Sequence, residues 1–188
     1  MTVGTTDRSL RELIGLADAR GLAAAGLGCL DRCLPLLSGD RTDALRPVWA
    51  AVARADAAAW GESVDRALAA LDGPPAEPAG AEVRALLAAA PRDWTAEDLR
   101  DWAAACSATA LGVHARHDTA APAEGLVERC RAGDPAGAGP LLAGELRRQL
   151  AVLEAVSHGP TGLRRARELS AEGGRVLRAV VSRRARTA

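Results

Sequence analysis

The sequence predicts an all-α fold, a single Ala/Leu-rich helical bundle of seven to eight helices over residues 1–188. Three observations predict it. The chain holds 44 Ala and 25 Leu but one Ile and no Phe, Tyr, Lys or Asn. That is a pool of strong helix formers with few of the β-branched and aromatic residues that strands favour. Apolar residues recur at spacings of three and four, and clusters of Pro and Gly separate the periodic stretches.

The first helix is expected over Arg8 to Ala19. Ser9 and Glu12 have capping-box spacing, Leu10, Leu13, Ile14 and Ala17 form the stripe, and Gly21 ends it. The second runs from Leu22 to Leu34, with Cys29, Leu30, Cys33 and Leu34 in its apolar set. Pro35 and the Ser38-Gly39-Asp40 turn close it. The third is the longest, from Thr42–Pro47 to Leu71. It carries Leu45, Trp49, Val52, Asp56, Trp60, Val64 and Leu71 at helical spacing. Trp49 and Trp60, eleven residues apart, fall on one face of such a helix. Gly73-Pro74-Pro75-Ala76-Glu77-Pro78-Ala79-Gly80 is the strongest linker signal and marks 73–80 as a subdomain hinge.

A short fourth helix, Glu82 to Ala90, ends at Pro91. The fifth has Thr95 as N-cap, Asp98 at N3 and Trp94 with Leu99 as hydrophobic staple, and runs to His117. The sixth spans Pro122 to Cys130, before a Gly-rich loop over 131–139. The seventh, Pro140 to Ser157, carries Leu142, Leu146, Leu150, Leu153 and Val156 on one stripe, and His158-Gly159-Pro160 stops it. The eighth begins after Thr161 and continues towards Arg184, with a weak point at Gly173-Gly174.

The 24 Arg balance 24 acidic residues, but unevenly. Residues 161–188 carry eight Arg against two Glu, while residues 1–160 carry 16 Arg against 22 acids, so +6 on the terminal segment faces −6 on the rest. An amphipathic basic helix can dock on an acidic face of its own chain or of a second copy, or contact nucleic acid. No interleaved aromatics and no DNA-binding motif accompany it, which ranks nucleic acid below protein as the partner. No apolar run approaches the ~20 residues of a membrane span, and no secretory leader pattern is present. The expected compartment is cytoplasmic, with Cys29, Cys33, Cys106 and Cys130 as reduced thiols.

Three groups of residues have the chemistry of a site. His114, His117 and Asp118 place two imidazoles one turn apart and a carboxylate beside them, a spacing that can address one metal ion. The pair His117-Asp118 resembles the metal pair of HD-type phosphohydrolases, although Thr119-Ala120-Ala121-Pro122 departs from the segment that follows it there. Asp56 falls within the apolar stripe between Trp49 and Trp60, where a carboxylate has to pair with a cation, hydrogen-bond or become protonated, could bind a cationic ligand or act as an acid or base, and two indoles could wall a ligand pocket. Cys29 and Cys33, four apart, could offer two thiolates to a soft metal, but a zinc site needs two more ligands.

The chain has no phosphate-cradling Gly-rich loop, nucleophile elbow, dinucleotide fingerprint or His-Glu-x-x-His motif, so no cofactor is expected and the sequence leans away from an enzyme. The expected function is a helical protein-interaction or regulatory module that self-associates as a homodimer or larger homo-oligomer. The alternative is a small-molecule-binding protein or metal-dependent enzyme with its site near His114, His117 and Asp56.

Overall fold

A computed structural model describes residues 8–38 and 43–187. Among these the chain is all-helical, with nine α-helices, one short 3-10 turn and no strand. The helices are α1 Leu10–Leu16, α2 Ala19–Cys33, α3 Arg46–Arg54, α4 Ala57–Ala70, α5 Gly80–Ala88, α6 Ala96–His117, α7 Leu126–Arg131, α8 Pro140–Val156 and α9 Pro160–Ala185. The expected Ser38-Gly39-Asp40 turn and the start at Thr42 fall on residues 39–42, outside the described residues.

The centre of the bundle is α2. Every residue from Gly21 to Leu30 is buried, so this stretch is apolar on all sides; α6, α8 and α9 enclose the helix, and α3 and α5 also touch it. Its run of Gly and Ala is what lets neighbours approach. A Cβ on Gly26 would lie 2.4 Å from the Trp102 ring of α6. The large side chains fill the seams: Leu22, Leu27 and Leu30 from α2, Leu99 and Leu111 from α6, Leu142 from α8 and Leu177 from α9. Each fully buried Leu contributes about 1.5–3 kcal/mol of hydrophobic burial.

Local capping decides the boundaries. Ser9 and Glu12 form the expected capping box. α1 nevertheless ends at Leu16, because Asp18 turns the chain out and caps α2, its Oδ1 accepting from Gly21 N at 2.7 Å. Gly21 is therefore inside α2, not a break. The long third helix is likewise two. Ala55 takes the left-handed conformation (φ 50°, ψ 41°), and Asp56 caps α4 by accepting from Ala59 N at 3.0 Å. A side-chain acceptor at Asp56 offsets the ~1–2 kcal/mol cost of a left-handed Ala.

α6 begins at the Thr95 cap and ends at His117 as expected, with Leu99 fully buried. α7 is shorter than expected, because Gly125 (φ 67°) precedes it and only Leu126–Arg131 is helical. The linker before α5 is tied down: Ala76 N and Glu77 N donate to Leu37 O and Leu36 O, and Gly80 packs on the Leu36 carbonyl. α9 runs unbroken through Gly173-Gly174 and buries Leu163, Ala166, Leu169 and Leu177 against α2 and α8.

Three of the four Trp make an edge-to-face cluster. The ring centroid of Trp60 lies 5.3 Å from that of Trp94 and 5.7 Å from that of Trp102, at near-perpendicular angles. Their buried N–H groups find carbonyls, Trp60 at Pro91 O and Trp102 at Leu86 O. The cluster pins α4, α6 and the Ala90–Trp94 connection together.

Candidate functional site

Four helices bring polar side chains to one point inside the bundle. Arg32 of α2 and Glu145 of α8 are both 0% exposed. The Arg32 Nε donates to both oxygens of Glu145, at 3.0 and 2.8 Å, and Nη2 donates to Oε1 at 2.8 Å. Nη1 reaches Ser170 Oγ of α9 at 3.3 Å, and Nη2 reaches Cys29 Sγ at 3.4 Å. Gln149, one turn beyond Glu145, donates to Glu145 Oε1 at 2.9 Å and accepts from Ser107 Oγ of α6 at 2.6 Å. His114 of α6 completes the cluster. Its Nδ1 lies 2.7 Å from Ala110 O and so carries a hydrogen, while Nε2 lies 3.7 Å from Glu145 Oε2 without a hydrogen-bond partner.

The helices are shaped around the guanidinium. A Cβ on Gly173 of α9 would fall 2.4 Å from Arg32 Cδ, and one on Gly28 would fall 3.1 Å from Nη1. Gly173 is thus a close-approach position, which explains why the expected weak point of α9 is a continuous helix. Burial alone would raise the Glu145 carboxyl. The facing Arg32 charge, then His114 and the hydrogen bonds from Arg32 and Gln149, outweigh it and hold that carboxyl below its usual range. Burial opposes the Arg32 charge, and Glu145 more than compensates, so the guanidinium is held protonated more firmly than in water. The neighbouring thiols move the other way. Burial pushes Cys29 up to about 12, and raises Cys33 and Cys106 well above the ordinary thiol value.

The structure separates the residues singled out by sequence. His114 points into the core at Glu145. His117, three residues on, is half-buried, with Nδ1 2.8 Å from Val113 O. Asp118 caps α8, its two oxygens accepting from Leu141 N at 2.8 Å and Leu142 N at 3.1 Å. A Cβ on Gly139 would meet that carboxylate at 2.4 Å, so glycine there admits the cap. No group of three or more His, Cys, Asp or Glu is placed to hold a metal ion among the described residues. Asp56 is not buried in an apolar stripe but sits half-exposed at the start of α4, 4.0 Å from Arg54. Trp49 and Trp60 lie on different helices. Trp49 donates to Asp31 Oδ2 at 3.0 Å, while Trp60 belongs to the tryptophan cluster.

Two spaces flank α1. On its outer side a half-open groove of about 870 Å³ runs between α1, the start of α2 and the α8–α9 turn. Leu13, Leu16, Ala17, Leu153 and Val156 give it apolar walls, and Arg8, Arg20, Asp18, Glu154 and His158 give it charges of both signs. Leu16 is 68% exposed, the sole large hydrophobic side chain so exposed among the described residues. On its inner side Leu10 and Ile14 cover a cavity of about 10 Å³ that reaches Cys29, Ser107 and Gln149. Leu153 lines both spaces.

Sequence reasoning passed over Arg32, Glu145, Gln149, Ser107 and Ser170. A signal was present: Glu145 and Gln149 fall at the three-and-four spacing of Leu142, Leu146, Val152 and Val156, and Arg32 falls between Cys29 and Cys33. Comparison with protein-family models, with curated proteins and with solved structures gave no match.

Proposed function

We propose that this chain is a helical protein-interaction module whose α1 groove receives an amphipathic helical segment of a partner polypeptide. The groove beside Leu16 carries the reading. It pairs an apolar floor with a rim of Arg8 and Arg20 on one hand and Asp18 and Glu154 on the other. A helix with apolar residues every three or four positions and charges of both signs on its flanks is complementary to such a surface. The buried Arg32–Glu145–Gln149–Ser107 network, with Ser170, has the place of a frame: it ties α2, α6, α8 and α9, and α1 packs on two of these, α6 and α8.

The test replaces Leu16 with a photo-crosslinking residue in the native host, with Ala171 on the exposed face of α9 as control. A discrete polypeptide adduct from position 16 and none from position 171 supports the reading. No adduct, or the same adducts from both positions, overturns it.

A second reading, a small-molecule-binding protein, draws on the buried His114 Nε2, which has no hydrogen-bond partner. The space beneath α1 is about 10 Å³, the size of a single water, so a ligand would reach Gln149 and Ser107 only if α1 moved aside. Native mass spectrometry of protein purified from its own host would show that ligand as an added mass, and a bare chain would argue against it.

A further inference from the structure

Among the described residues no arginine of α9 forms an ion pair with an acid of another helix. In the first half of α9 the acids are paired, Glu168 with Arg164 and Arg165, and Glu172 with Arg148. From Arg175 onward there is no acid in the chain. Arg175, Arg178, Arg183 and Arg186, spaced by three, five and three residues, project within one broad face of α9. None of them forms an ion pair among the described residues. Arg184, on another face, donates to the carbonyl oxygens of His117 and Asp118 at the C-terminal end of α6.

The complementary surface lies at the other end of α6. An open groove of about 480 Å³ between α5 and the start of α6 has Leu86, Ala89, Pro91 and Trp102 on its floor. Asp93, Asp98 and Asp101 line it, are exposed, and form no ion pair among the described residues. The Arg92 beside them is committed to Asp65 at 2.6 Å. The N-terminal dipole of α6 suits acids in its first turn, which accounts for Glu97 and Asp98 but not for Asp93 or Asp101. Along α6, about 24 Å of helix separates Asp101 of this groove from His117 at the end that Arg184 touches. Among the described residues no arginine of this α9 face forms an ion pair with the acidic groove of its own chain.

We infer that the acidic groove between α5 and α6 seats the arginine face of α9 from a second copy of this chain. Four guanidinium groups would meet three carboxylates, with the arginine stems lying along the apolar floor. The two surfaces differ, so the contact is head-to-tail and extends beyond a dimer unless the rotation closes a ring. This rests on the reading of the chain as an interaction module and names one of its partners. It uses neither Leu16 nor the α1 groove, so its failure and the failure of the α1 groove as a docking site are told apart by different variants.

The test is sedimentation of the full chain at low and high salt, with two charge-reversed variants. One carries Asp93→Arg and Asp101→Arg, leaving the Asp98 position of the α6 cap intact. The other carries Arg183→Asp and Arg186→Asp. Circular dichroism confirms that each is folded. The wild type is expected to exceed the 19.3 kDa of one chain as concentration rises, and to dissociate in high salt. Each variant alone is expected to associate at least ~10-fold more weakly: in the first the groove and the helix both carry positive charge, and in the second two Asp cancel Arg175 and Arg178, so the acidic groove meets a face without net charge. An equal mixture of the two is expected to associate again, since each presents the charge the other lacks. A wild type that stays monomeric at low salt overturns the inference, as does association that survives both reversals. So does a mixture of folded variants that remains monomeric. Should one variant fail to fold, the other alone, compared with wild type alone, decides by the same loss.

Discussion

Replacing Arg32 by Met removes the cation from a fully buried pair while keeping most of the side-chain volume. Three N–O contacts of 2.8–3.0 Å disappear, and Glu145 keeps only Gln149 as hydrogen-bond donor and the distant His114. Stranding one charge of a buried pair costs about 3–5 kcal/mol. Glu145→Leu strands the guanidinium instead and falls in the same range. The double variant Arg32→Met/Glu145→Leu loses the pair once, so it should be far less unstable than the sum of the two singles, and no worse than the poorer single. Urea denaturation followed by circular dichroism at neutral pH measures all four proteins. The pH dependence has a defined sign. The folded-state carboxyl of Glu145 lies below its ordinary value of 4.5, so the stability it contributes is present above that value and lost as pH falls through the lowered one. In Arg32→Met burial acts on that carboxyl unopposed by the guanidinium, so the deficit against wild type should shrink on acidification. Single-variant costs under ~1 kcal/mol, or a double variant equal to the sum, would refute the view that this pair locks the four helices.

Other outcomes follow from single contacts. Gly173→Ala forces a Cβ to within 2.4 Å of Arg32 Cδ and should cost about 1–3 kcal/mol in chemical denaturation, although Ala is the better helix former. Ala55→Gly relieves a left-handed Ala and should raise stability by ~0.5–1 kcal/mol, read as a shifted urea midpoint. Asp118→Ala frees two backbone donors at the start of α8 and should cost ~1–2 kcal/mol, in the range of a lost helix cap. Cys29, Cys33, Cys106 and Cys130 are buried with raised thiol values, so native protein should react with a thiol reagent far more slowly than unfolded protein. The same shifts predict stability that is full below pH 9 and declines above it, where unfolded thiols ionise and folded Cys29 does not until about 12.

The helical class and the later helices were legible because they depend on local signals. The Thr95 cap with Leu99, the Pro140 start and the His158-Gly159-Pro160 stop each sit within one turn of the boundary they set. The early boundaries were misjudged where two local signals competed. At Gly21 and at Asp56 an Asp with a backbone N–H in reach overrode the expectation from glycine or from apolar spacing. The buried network was hidden for a different reason. Arg32, Ser107, Glu145 and Ser170 come from four helices, and hydropathy alone assigns an Arg or Glu on a helix to the surface. What marks them is tertiary: Gly28 and Gly173 are positions whose missing Cβ makes sense only against a particular side chain. His114, His117 and Asp118 share a sequence neighbourhood, but the helix ends between the two last, and Asp118 turns to the next helix.

The central claim, that the groove beside α1 receives a partner's amphipathic helix, is tested most directly by calorimetric titration. The segment captured at position 16, made as a peptide, is titrated into wild-type chain and into Leu16→Glu. Leu16 is exposed, so the substitution leaves the fold intact while placing a charge on the apolar floor. The expected result is saturable binding to wild type that weakens at least ~10-fold in Leu16→Glu, with a negative heat-capacity change from apolar burial. Equal affinity for the two proteins would contradict the claim and place the partner elsewhere on the surface.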